Sequence, residues 1–171
     1  MKIETKDSPI SGTGVFTTQP VRRGEVVLVI DDSRIVDANN PLREGEKKYH
    51  CDWLPDGKTV LMQPPECYIN HSCEPNVFVY SVNKQRFVLA LTDLIQGEEV
   101  VYDYAINAAD SSVWTCTCGS ARCRGRHKSA FFELPESLQR EYLPLLDPWF
   151  AHVHKDRIES LLRRSATQDR A

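Results

Sequence analysis

The sequence predicts a mostly β protein with short helices gathered toward its C-terminal end. Three observations carry that expectation. Short β-branched and aromatic runs, separated by Gly, Asn, Asp and Pro, extend from Val21 to about Tyr104. A cysteine-dense block follows at Cys116 to Gly125, and the periodicity turns helical beyond Ser129. The 171 residues suit one compact domain.

The strand-like text begins with Val26-Val27-Leu28-Val29-Ile30 and resumes in Asn76-Val77-Phe78-Val79-Tyr80, Arg86-Phe87-Val88-Leu89-Ala90-Leu91 and Glu99-Val100-Val101-Tyr102. Such residues fit a pleated, half-buried surface. Between them Asn39 to Asp52 is polar and charged, and reads as a loop or a short helix. After Ala105 the small polar run Asn107-Ala108-Ala109-Asp110-Ser111-Ser112 reads as a linker. Pro135 to Leu143 reads as a short helix ended by Pro144, and Asp147-Pro148 supplies the cap and first-turn proline of a second. In that second helix Phe150, Val153, His154, Ile158, Leu161 and Leu162 share one stripe, expected to pack on the body; a groove helix for a partner is the alternative. Arg163 to Ala171 is expected to fray.

Composition excludes several classes. With 41% hydrophobic and 26% charged residues the chain is neither collagen-like nor largely disordered. No apolar run approaches the roughly 18 residues that span a bilayer. The first twenty residues lack the apolar stretch of a secretory signal, so a reducing, intracellular setting is expected, cytoplasmic in a prokaryote or nuclear in a eukaryote. Residues 1–115 hold 11 basic and 17 acidic side chains, net −6, whereas 116–171 hold 10 and 7, net +3. An acidic body argues against general nucleic-acid binding and suits a basic partner.

Six cysteines in a reducing setting point to metal or free thiols rather than disulfides. Cys116, Cys118 and Cys123 place three thiols within eight residues, and a closed zinc site wants a fourth ligand. The candidates are Cys51, Cys67 and Cys73, with His71 and His127 as nitrogen donors. Cys73 sits in an unusual polar string, Tyr68-Ile69-Asn70-His71-Ser72-Cys73-Glu74-Pro75-Asn76.

Four segments, in order, resemble the SET-domain protein-lysine methyltransferases. Ser11-Gly12-Thr13-Gly14-Val15-Phe16 with Arg23-Gly24-Glu25 is similar to the glycine motif, and Tyr68 to Asn76 to the Asn-His-Ser-Cys motif. Gly97 to Tyr104 is similar to the motif of the catalytic tyrosine, and Cys116 to Gly125 to the post-SET zinc knuckle. The resemblance implies a SET domain over 1–107, a post-SET knuckle over 111–127 and a helical extension over 128–171. It implies a knot-like crossing of Asn70–Cys73 with Tyr102–Tyr104, in a small stand-alone member of the family.

By the same resemblance S-adenosylmethionine is held by Gly12, Thr13, Gly14, Val15, Phe16, Asn70, His71 and Tyr104. One structural zinc is held by Cys73, Cys116, Cys118 and Cys123. Tyr104 is the catalytic tyrosine. Tyr102, where relatives carry Phe or Tyr, restricts the product mainly to mono- or dimethyl-lysine. The substrate is a lysine in a basic, histone-like peptide, with neither nucleic acid nor membrane as partner; a prokaryotic source is favoured. The alternative is a catalytically silent SET module that binds a lysine-bearing peptide. One departure is that Leu28-Val29-Ile30-Asp31-Asp32 lacks the channel tyrosine of relatives, leaving Tyr49, Trp53 and Tyr68 as candidate channel aromatics. Phe131 and Phe132 are placed to cover the adenine, and Cys51 and Cys67 are expected to be unligated.

Overall fold

Along Gln85–Ala90 every second side chain is buried, the period that a half-covered strand demands. The computed structural model describes residues 2–54, 56–109 and 112–168, with the side chains of His127 and of residues 165–168 outside the description. Among the described residues the strands are β1 (Ile3–Asp7), β2 (Thr13–Thr17), β3 (Val26–Val29), β4 (Ile35–Val36), β5 (Cys51–Trp53), β6 (Thr59–Leu61) and β7 (Asn70–His71), then β8 (Val77–Val82), β9 (Gln85–Ala90), β10 (Glu99–Tyr102), β11 (Val113–Thr115) and β12 (Arg126–Lys128). Helices α1 (Glu136–Tyr142), α2 (Pro148–Val153) and α3 (Lys155–Gln168) follow.

Two larger sheets, ordered β1-β2-β10-β7 and β3-β9-β8, and two small ones, β4-β6-β5 and β11-β12, make a β body. Val15, Val77, Val88 and Val100, from both larger sheets, have no exposed surface and share one cluster. Each contributes about 1.5–3 kcal/mol by leaving water. A second cluster joins Ala105 and Ile106 to Phe131, Leu138, Tyr142 and Phe150, which fastens the helices to the chain just after β10.

The expected crossing appears as parallel pairing of β7 with β10, Asn70 beside Val101 and His71 beside Tyr102. Asn76 clasps the pair: its Oδ1 accepts the Val101 N–H at 2.9 Å and its Nδ2 donates to the Glu99 carbonyl at 2.8 Å.

Three expectations need correction. Asn39 to Asp52 is mostly irregular, but it ends in a 3-10 turn at Lys48–His50 and in β5, part of a three-stranded sheet too short to show a period. The helix begun by the Asp147 cap stops at His154 (φ −105°, ψ 23°), and a new helix starts at Lys155. That break shifts the stripe: Phe150 and Leu161 are fully buried, whereas Val153 and Leu162 are exposed. Helical backbone also continues past Arg163 to Gln168, with 169–171 outside the described residues.

Candidate active site

Tyr104 lies just past the end of β10, where two contacts fix it. Its hydroxyl donates to the Ile69 carbonyl at 2.9 Å, and its backbone N–H donates to His71 Nδ1 at 3.1 Å. With Nδ1 accepting, the ring proton belongs on Nε2, which stands 3.3 Å from Cys73 Sγ and can donate to that sulfur. Trp114 packs edge-on to His71 (centroids 4.7 Å apart) and leans over Tyr104 at 6.0 Å. The Tyr102 and Tyr104 rings lie 4.9 Å apart. Burial pushes the Tyr104 hydroxyl up to about 12 and the Tyr102 hydroxyl well above its ordinary value. Both are therefore neutral at physiological pH, available as hydrogen-bonding groups rather than as bases.

Tyr102 and Tyr104 line a cleft of about 1020 Å³, together with Gly12, Thr13 and Asn70. Gly12 has φ +48°, and a Cβ added there would meet nothing within 4 Å, so the chain offers an open backbone face to the cleft. Asn70 Nδ2 donates to Ser11 O (3.1 Å), Thr13 O (3.2 Å) and Glu99 Oε1 (3.0 Å), tying the glycine turn to β7. Gly14, Val15, Phe16 and His71 do not line the cleft. Gly14 has a local reason to be glycine: a Cβ there would overlap Glu99 Oε1 and stand 2.9 Å from Ser8 Cβ. Val15 and Phe16 are buried within β2.

The four sulfurs of Cys73, Cys116, Cys118 and Cys123 all lie within 4.8 Å of one another. Zinc–sulfur bonds of about 2.3 Å in a tetrahedron set sulfur–sulfur edges of roughly 3.8 Å, and Cys73 and Cys116 stand 3.9 Å apart. The donor set fits one zinc ion. Burial pushes the Cys73 and Cys116 thiols up. At Cys118 burial is outweighed by hydrogen bonds from the Cys73 and Ser120 segments, and the thiol is drawn down to about 6. Bound metal would favour the thiolate throughout. The knuckle also reaches the tyrosine segment. Arg124 Nη1 and Nη2 donate to the two oxygens of the fully buried Asp103, at 2.6 and 2.8 Å, and Tyr142 of α1 donates to Asp103 at 3.2 Å.

Several sequence candidates lie elsewhere. Phe131 is fully buried in the helical core, and Phe132 stacks on Phe150 beneath the Arg157 guanidinium, so neither is placed as a cover for a bound ligand; Trp149 and His154 line the cleft instead. Tyr49 and Trp53 are exposed but, with Tyr68, border the cleft. Cys51 and Cys67 stand apart from the sulfur cluster, with thiols pushed up by burial. The His127 side chain is outside the described residues. Sequence reading missed Trp114, hidden in a three-residue strand beyond the polar linker, and Glu66 with Arg86, a buried acid and base that no local spacing announces.

A SET domain family model matches residues 12–105. Among curated relatives, the "Histone-lysine N-methyltransferase trithorax" of Drosophila virilis is 30% identical across 68% of this chain, and the "Histone-lysine N-methyltransferase 2B" of Homo sapiens is 31% identical across 68%. The chain spans only 3% and 5% of their lengths. Among solved structures, KRYPTONITE in complex with mCHG DNA and SAH superimposes with a TM-score of 0.56 at 21% identity, covering 72% of this chain and 28% of that one. The match over more than half of the sequence, together with the crossing of β7 and β10, makes this chain a member of the SET-domain family.

Proposed function

We propose that the chain transfers a methyl group from S-adenosylmethionine to the ε-amine of a lysine in a protein substrate, yielding mainly mono- or dimethyl-lysine. One observation carries the reading: the Tyr102–Tyr104 pair and the Gly12–Thr13 turn with Asn70 face a single cleft. The activity for which the relatives are named supports it, as do the SAH and the H3(1-15) peptide solved with KRYPTONITE. The acidic N-terminal body would favour a basic peptide.

When bound, S-adenosylmethionine supplies a methyl carbon on a positively charged sulfur. A free lysine, with a pKa of about 10.4, needs roughly 4–5 kcal/mol to be neutral at pH 7. The positive charge that the bound donor would bring beside the amine would offset about 4 kcal/mol of that at an effective dielectric near 20. No strong base is then required, which agrees with two tyrosines held neutral by burial. The amine lone pair forms the N–C bond as the C–S bond breaks; the electron pair passes to sulfur and the surplus proton leaves to water. Tyr104, anchored on Ile69, positions the amine. Asn70 and the open backbone at Gly12 would hold the amino-acid head of the methyl donor. Cys73, Cys116, Cys118 and Cys123 would hold one zinc and lock the knuckle against the tyrosine segment.

The test is transfer of labelled methyl to core histones and, in parallel, to a cell lysate, by the wild type and by Tyr104→Phe. Label with the wild type and at least about a hundredfold loss in the variant is expected. Binding of S-adenosylmethionine with no labelled lysine in either mixture would favour the silent peptide-binding module instead.

A further inference from the structure

In the cleft that Tyr102 lines lies a charged cluster that the proposed mechanism leaves unused. Arg86 of β9 spends its guanidinium on two partners. Nε and Nη2 donate to Asp32 at 2.9 and 2.6 Å, and Nη1 donates to Asp52 of β5 at 2.5 Å. Glu66, in the 3-10 turn before β7, receives only the remainder, since its Oε1 stands 3.8 Å from Arg86 Nη2. Its Oε2 is buried without a hydrogen-bond partner among the described residues, yet the residue, 5% exposed, lines the cleft. Asp52, Glu66 and Arg86 all line the cleft, so the cluster forms part of its wall.

The backbone ties Glu66 to the tyrosines. Its carbonyl accepts the Ile69 N–H at 2.9 Å, and the Ile69 carbonyl in turn accepts the Tyr104 hydroxyl at 2.9 Å. Glu66 is also near enough to Tyr102 for its charge to push that phenol up, as Asp52 does more strongly. An unpartnered buried oxygen is costly, and a residue that lines a cleft can turn such an oxygen toward a donor that enters it. The donor that the proposed reaction brings is the lysine nitrogen.

Burial outweighs the attraction of Arg86, and Asp52, Asp32 and Asp31 push the same way, so the Glu66 carboxyl rises to about 8 and is mostly uncharged at neutral pH. That state suits the task. An ionised carboxylate would stabilise the lysine as ammonium, which has no lone pair to attack with. An uncharged carboxyl accepts an N–H without holding the proton on nitrogen.

We propose that Glu66 contacts the substrate amine, its Oε2 accepting an N–H of the lysine nitrogen beside the Tyr102 hydroxyl, and thereby limits how many methyl groups that nitrogen receives. The inference rests on the methyl-transfer reading. A neutral primary amine carries two N–H groups, a monomethylated amine one and a dimethylated amine none. Each added methyl removes a donor and sets carbon where the oxygen needs hydrogen, so later transfers are progressively disfavoured.

The test uses a synthetic H3(1-15) peptide with one lysine either unmodified or monomethylated, with products resolved by mass spectrometry and foldedness checked by S-adenosylmethionine binding. The readout is kcat/KM on the monomethylated peptide divided by that on the unmodified one. We expect Glu66→Ala to raise this ratio at least tenfold and to yield di- and trimethyl-lysine that the wild type makes slowly. Glu66→Gln, which keeps an acceptor oxygen, holds the ratio within twofold. Glu66→Asp, which withdraws the oxygen by one methylene, raises it by a smaller factor and decides the matter should the alanine variant not fold. An unchanged ratio in a folded alanine variant, or in the aspartate variant alone, overturns the role of Glu66 while methyl transfer stands. A wild type that binds S-adenosylmethionine and methylates no lysine overturns the methyl-transfer reading, and this inference with it.

Discussion

Arg124→Ala cuts the ion pair that joins the cysteine knuckle to the segment between Tyr102 and Tyr104. Asp103 has no exposed surface and receives two charge-assisted bonds from Arg124, itself 13% exposed. Removing one partner of such a pair leaves a buried charge uncompensated, at a cost of about 3–5 kcal/mol. Two neutral donors stay behind, the Ala105 N–H at 3.0 Å and the Tyr142 hydroxyl at 3.2 Å, which places the expected loss at the lower end. With a denaturation slope of about 2 kcal/mol per molar urea, a loss of about 3 kcal/mol lowers the urea midpoint by roughly 1.5 M. The assay is urea unfolding followed by tryptophan fluorescence, with zinc content measured on the same sample so that metal loss is separated from charge burial. Adding Asp103→Asn to the variant removes the stranded charge and is expected to restore more than half of the loss. A midpoint drop below about 0.4 M at unchanged slope, with zinc retained, would refute the reasoning.

Chelation with EDTA, or Cys73→Ser, is expected to strip about one zinc per chain and to lower the thermal midpoint, because one ion would join the segment just after β7 to a knuckle more than forty residues away; an unchanged midpoint in the stripped protein counts against a structural ion. Gly14→Ala forces a carbon against Glu99 and Ser8 and should cost about 1–3 kcal/mol. Gly12→Ala meets no atom and strains only the backbone, at about 1 kcal/mol; urea midpoints in the opposite order would contradict the packing argument. Glu66 has a folded pKa raised to about 8 from 4.5, so the folded state binds the extra proton and its stabilising share is present below 4.5 and lost as pH rises through 8. Thermal midpoints of Glu66→Gln and the wild type, compared from pH 5 to 9, should therefore diverge in favour of the variant as pH rises, and a constant difference would exclude the shift.

Much of the strand framework is legible in the sequence because Val26–Val29, Val77–Val82, Gln85–Ala90 and Glu99–Tyr102 are dense in β-branched and aromatic residues with turns between them. The sheet of β4, β5 and β6 is not, since strands of two or three residues carry no period. The knuckle declares three sulfurs through local spacing, whereas the fourth depends on where a segment 43 residues away returns. Local spacing also fails for Asp103, Arg124 and Tyr142, which meet only in space. Phe131 and Phe132 follow the knuckle closely in sequence, but their burial is decided by α2 and α3, whose break at His154 no residue pattern announces.

The parallel pairing of β7 with β10 has a consequence for how the chain comes into being. Parallel neighbours cannot close through a tight hairpin, so Asn70 must wait for Val101, and Asp103 in turn for Arg124 and Tyr142. Contacts this distant along the chain make folding slow relative to local structures such as the β8–β9 hairpin. On the ribosome the segment that bears Tyr104 is made well before its supports, and its geometry is completed only when the chain as far as Tyr142 has emerged. A nascent chain halted short of that point carries every residue of the tyrosine pair and of the glycine turn, yet lacks the last clamp that holds them in register.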